Sequence, residues 1–168
     1  IQVLDVTAAP AAITLKCRHL DGNEFTITSA HLEPCSDLDM FAVDLDVLQL
    51  HCGRSHNKKA IIGLDANADL YARPATHKAN IFKSWLHSCG LQAIPCQQHT
   101  HVHASTGLEH TLDYILVKHQ AFDFQSCKAW VTDDCTSTCK RSDHRCVCST
   151  KILRPSFPKE FQVCSACP

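Results

Sequence analysis

The sequence predicts an α/β sandwich. Three observations carry that reading: an alternating apolar–polar hairpin near the N-terminus, two segments with apolar residues at helical spacing, and several later β-like runs. Strands and helices mix without the strict alternation a doubly wound parallel sheet demands, so an α/β sandwich fits better.

The elements follow in order. Ile1 to Val6 is strand-like from the first residue, and the chain reads as starting inside a longer polypeptide. Ala12 to His19 and Glu24 to His31 alternate about Asp21-Gly22-Asn23, a turn-forming triplet, which makes a hairpin. Ser36 is placed to cap a helix in which Leu38, Phe41, Ala42, Leu45 and Leu48 recur at helical spacing up to Cys52, and Gly53 ends it. Lys59 to Asp65 rises through Ala60-Ile61-Ile62 as a short buried strand. Beyond an irregular stretch with Pro74, Thr76 caps a second helix that runs to Cys89 and is closed by Gly90. Leu112 to Val117, Phe124 to Val131 and Arg145 to Leu153 are three further strands. Pro155, Pro158 and Pro168 mark residues 154–168 as a loose C-terminal tail after a domain over residues 1–153.

Composition sets the bounds. With 168 residues, 45% hydrophobic and 20% charged, the chain is one domain's worth and large enough to bury a core. No apolar run is long enough to span a bilayer. The net charge of −1 gives no global attraction to nucleic acid; Arg54 to Lys59 and Lys140 to Arg145 are local basic clusters. Twelve cysteines invite a disulfide or zinc framework, but Cys135-x3-Cys139, Cys146-x-Cys148 and Cys164-x2-Cys167 are three unlike pairs. Cys17, Cys89, Cys146 and Cys148 read as free thiols acting as small hydrophobes, the last two sharing one strand face. A zinc site from Cys135, Cys139, Cys164 and Cys167 is the competing reading. Reducing, intracellular conditions are the expectation.

The chemistry concentrates at strand edges. Ser142-Asp143-His144 places a carboxylate and an imidazole side by side before a β-like run, able to hold a divalent cation and to move a proton near neutral pH. Asp65 and Asn67 flank Ala66 just after a buried strand, so a carboxylate and an amide can both serve phosphodiester hydrolysis; an Asx turn capping the strand is the bland alternative. Asp113 opens the apolar run Tyr114 to Val117, and a half-buried carboxylate there needs a partner, for which His144 is the natural one. His31 ends a strand before Leu32-Glu33-Pro34 and can reach a phosphate. His99, His101 and His103 alternate at strand spacing, which would put three imidazoles on one face as a transition-metal or substrate contact.

In this order, His31-Leu32-x-Pro34, Gly63-Leu64-Asp65-Ala66-Asn67, Leu112-Asp113-Tyr114-Ile115 and Ser142-Asp143-His144-Arg145 resemble the endonuclease/exonuclease/phosphatase superfamily, the deoxyribonuclease I-like enzymes. The resemblance runs from about Ala12 to Leu153. It implies a four-layer α/β sandwich, two packed sheets flanked by helices, incomplete on its N-terminal side. It also implies Mg²⁺- or Mn²⁺-dependent attack on a phosphodiester, on nucleic acid above all. Asp65 and Asn67 would position the water and stabilise the transition state, and Asp143, with Asp65, would hold the metal. His144 would contact phosphate or transfer a proton, Asp113 would hold His144, and His31 matches the family's second histidine.

Two departures accompany the resemblance. The family's Gly-Asp-x-Asn has one extra residue between Gly63 and Asp65, with Asp-x-Asn intact. The asparagine and metal-binding glutamate of the family's early strands have no counterpart, and a full sandwich takes about 200–250 residues. An upstream segment of the same polypeptide is therefore expected to be needed for full activity, with this chain feeble alone. A non-LTR retrotransposon-type endonuclease, nuclear in location, is the favoured subfamily. The alternatives are a phosphatase or lipid phosphodiesterase of the same superfamily, or a catalytically dead remnant or binding module.

Overall fold

The computed structural model describes residues 1–35, 37–52, 59–118, 128–132, 144–151 and 161–165. Eleven strands and two helices are built from them: β1 Gln2–Ala9, β2 Ala12–Arg18, β3 Glu24–His31, α1 Leu38–His51, β4 Lys59–Asp65, α2 His77–Cys89, β5 Leu91–Ala93, β6 His101–Val102, β7 Glu109–His110, β8 Asp113–Lys118, β9 Lys128–Thr132, β10 Cys146–Lys151 and β11 Phe161–Ser165. A six-stranded sheet has the order β1-β2-β3-β4-β8-β5; β11-β10-β9 form a second sheet and β6-β7 a small ribbon.

The layers follow from side-chain alternation. On one face of the large sheet Ile62, Leu64, Tyr114 and Leu116 pack against Phe41, Leu45 and Leu48 of α1 and Phe82, Trp85 and Leu86 of α2. On the other face β10 and β11 lie over β4 and β8. Helices, large sheet and small sheet are three of the four expected layers; no helix covers the small sheet's outer face among the described residues. The two helices end as capping chemistry dictates. Asp37 Oδ1 accepts from the backbone N–H groups of Asp39 and Met40. Thr76 caps α2 and Gly90 closes it in the left-handed conformation.

Several expectations are adjusted. The cap of α1 is Asp37, whose extended backbone and carboxylate serve the first turn; Ser36 and Gly53 lie outside the described residues. The strand expected over 124–131 is described from Lys128 to Thr132, and 124–127 lie outside. Within the expected loose tail, Phe161–Ser165 pairs antiparallel with β10; its own apolar–polar alternation offers a sheet edge more than the flanking prolines forbid. β1 extends to Ala9 because the Pro10-Ala11 turn folds it back in register on β2.

Among the described residues the small sheet leaves part of the large one bare. Cross-strand pairing puts Val6, Leu15, Ile27, Ile61 and Val117 in one row. Under the small sheet Ile61 is 2% and Val117 0% exposed, whereas at the far end of the row Val6 is 58% exposed, with Ile13 beside it at 53%. Unprotected edge strands with apolar faces associate. The double variant Val6→Lys/Ile13→Lys should therefore shift the purified chain toward monomer in sedimentation velocity, with an unchanged far-UV spectrum.

Candidate active site

The antiparallel register of β4 and β8 sets Asp65 directly opposite Asp113 at the mouth of the sheet, and the parallel register of β3 sets His31 beside Asp65. The His31 ring Nε2 is 3.7 Å from Asp65 Oδ2. His144 enters from the start of the small sheet. Its Nδ1–H donates to Asp113 Oδ2 at 3.0 Å and lies 3.7 Å from Asp65 Oδ2. Four residues spread over more than a hundred positions thus meet at adjoining strand ends.

The electrostatics of this corner are unusual for a sheet. Like charges directly opposite one another are unfavourable, and both carboxylates are buried. Burial first, and the Asp113 charge second, push the Asp65 carboxyl above the ordinary carboxylate range, against lowering by the Asn67 backbone and the two imidazoles. Asp113→Asn removes the second cause, so the Asp65 titration, followed by carboxyl ¹³C shifts, should move toward lower pH in that variant.

A cation would meet a suitable donor set here. Single ligand atoms of Asp65, Asp113 and His144 lie within 4.8 Å of one another. Asp113 Oδ1 is buried with no hydrogen-bond partner among the described residues, an acceptor left over. Carboxylate oxygens suit Mg²⁺ and Mn²⁺ and are the ligands to expect here, because the His144 Nδ1–H is already given to Asp113. Asp143, the other expected metal ligand, lies outside the described residues, as do Cys135, Cys139, Cys167 and most of the two basic clusters.

The remaining site residues are placed as follows. Asn67 sits just beyond β4 with a positive φ of 47°. Its backbone N–H donates to Asp65 Oδ1, and its side-chain amide donates to the Leu32 carbonyl at 2.7 Å. It therefore ties the β4 turn to the chain leaving His31. The His99-His101-His103 face does not form. Only His101 and Val102 are β-structured; His101 is buried while His99 and His103 are exposed, because the pairing with β7 ends after two residues. Cys17, Cys89 and Cys148 are free thiols, while the Cys146 side chain lies outside what is described.

Sequence reasoning missed the supports. Thr100 is fully buried, and its Oγ1 accepts from the backbone N–H groups of Leu112 and Asp113, each at 3.0 Å. Its carbonyl accepts from Arg145 N, so one residue ties together the chain carrying Asp113 and the chain carrying His144. The Tyr114 hydroxyl accepts from Leu70 N and shares its proton between the carbonyls of Ala68 and Thr111, bracing the turn that follows Asp65. A hydroxyl inside an apolar strand was the one available signal for Tyr114.

The large sheet with helices on one face and the small sheet on the other is a fold shared with solved structures. The chain has the endonuclease/exonuclease/phosphatase fold. It superposes on the endonuclease domain of TRAS1, a telomere-specific non-LTR retrotransposon, with a TM-score of 0.66 at 17% identity, covering 89% of this chain and 68% of that domain. An AP endonuclease from Archaeoglobus fulgidus gives 0.64 at 13% identity over 91% of this chain and 72% of that one. A Leptotrichia buccalis endonuclease/exonuclease/phosphatase family protein gives 0.57 at 17% identity, covering 85% of this chain and 53% of its partner. No protein-family model and no curated protein matches the sequence. The endonuclease/exonuclease/phosphatase fold is thus carried by three-dimensional likeness at low identity.

Proposed function

We propose that this chain hydrolyses phosphodiesters with the help of a divalent cation, as an endonuclease acting on nucleic acid. The observation that carries the reading is the convergence of Asp65, Asp113 and His144 within 4.8 Å at one strand mouth. The fold likeness to nucleases supports it.

Asp65, with Asp143, would hold Mg²⁺ or Mn²⁺. A bound cation would supply Lewis-acid polarisation of the phosphoryl oxygens. Asp65 orients the attacking water and takes its proton as the new oxygen–phosphorus bond forms. The bond to the ester oxygen on the opposite side breaks. The Asn67 amide, with one N–H on Leu32, has a second for the developing oxyanion. His144 in its imidazolium form donates to a phosphoryl oxygen, and Asp113 holds that ring and stabilises its charge. His31, exposed beside Asp65, protonates the departing oxygen.

Incubating the chain with supercoiled plasmid and with bis(p-nitrophenyl) phosphate, with Mn²⁺ or Mg²⁺ and with EDTA, tests this. Metal-dependent turnover that falls about 10²–10⁴-fold in His144→Ala supports it. Turnover of a phosphomonoester alone would move the reading to a phosphatase, an activity named in a mannosyl-6-phosphatase of Bacteroides thetaiotaomicron that shares the fold at a TM-score of 0.50. Metal uptake measured by calorimetry with no turnover at all would make the chain a binding module.

A further inference from the structure

We infer that His101 is a positioning residue for His144, an inference that rests on the catalytic reading of His144. Asp113 alone does not fix that imidazole. The hydrogen bond from Nδ1 at 3.0 Å sets a distance. His101 adds a contact on the ring itself. Its ring stands edge-to-face on His144, with centroids 4.8 Å apart and planes at 64°.

The constraint is built in from the backbone. His101 pairs with His110 across the β6–β7 ribbon, and through an isolated antiparallel bridge with His144 itself. Arg145 N donates to the carbonyl of Thr100, closing that bridge. Only 8% of His101 is exposed, so its ring has little room to move. The rings of His103 and His110, at 6.4 and 6.3 Å, back it from behind. Rings at such separations prefer tilted, edge-to-face contact, a directional preference that an aliphatic side chain of similar bulk lacks. The requirement is for a ring at position 101, not for an imidazole nitrogen. His101 acts through His144 and touches no substrate.

The test uses the whole 168-residue chain labelled with ¹⁵N-histidine, and three variants: His101→Phe, His101→Leu and His101→Ala. The low-field Nδ1–H signal of His144 is assigned by its absence from His144→Gln. It should persist in the parent and in His101→Phe and broaden by solvent exchange in His101→Leu and His101→Ala. In parallel, kcat for phosphodiester cleavage should fall about 10–100-fold in the leucine and alanine variants with KM unchanged, and recover in His101→Phe. Backbone amide spectra and melting curves confirm folding, and the leucine variant keeps the core filled if alanine does not fold. Retention of the signal and of kcat in His101→Leu would overturn the inference. So would loss in His101→Phe as deep as in alanine, because the nitrogen and not the ring would then matter. If no protein, parent included, turns over substrate, the histidine signals alone decide the role of His101.

Discussion

Asp65→Asn should raise the melting temperature at pH 7 while lowering metal-dependent phosphodiester cleavage about 10²–10⁴-fold. The two effects share one cause. Burial and the facing Asp113 hold the Asp65 carboxyl above its ordinary range, so the folded state favours the protonated form. At neutral pH the ionised carboxylate opposes folding, and that opposition fades as the pH falls through the raised value. Asparagine keeps the shape and can still accept from the Asn67 backbone N–H, but carries no charge at any pH. Thermal melts of both proteins at pH 7 and at pH 4 check the sign: the stabilisation should be largest at pH 7 and shrink toward acid. Lost activity with unchanged or lowered stability would mean that Asp65 is comfortable in the metal-free fold. Sites that keep opposed charges at a stability cost do so for function.

The parts of the site that could be read from sequence are those whose chemistry contradicts their surroundings. Asp65, Asp113 and His144 each stand at the border of an apolar run, where a charged or titratable group needs a reason. Likewise β2, β3, β4 and both helices follow their own periodicity, and Thr76 and Gly90 mark the ends of α2 as written. What stayed hidden has no local signature. β5, β6 and β7 are two or three residues long, too short for any period to register, and exist because β8 and the His144 segment lie beside them. The adjacency of Ser36 and Asp37 offered two capping residues, and only the backbone conformation chose between them. The alternation His99-His101-His103 suggested a longer strand than two residues of pairing sustain.

Thr100 is the hidden residue with the largest expected consequence. Valine matches threonine in bulk but removes the one oxygen that accepts from both Leu112 N and Asp113 N. Each buried donor left unpaired costs about 1–3 kcal/mol, so Thr100→Val should destabilise the chain by about 2–6 kcal/mol in urea unfolding. Thr100→Ser keeps the acceptor and loses only a methyl, costing about 1 kcal/mol. Catalysis should separate the two more widely still, because the same oxygen sets where Asp113 begins its strand and so where it meets His144. Turnover should nearly vanish in the valine variant and survive in serine. Equal stability of the two would show that water replaces the lost acceptor. The Asp113–His144 contact would then be held by its own hydrogen bond and by the backbone bridge from Arg145 to Thr100, which neither substitution touches.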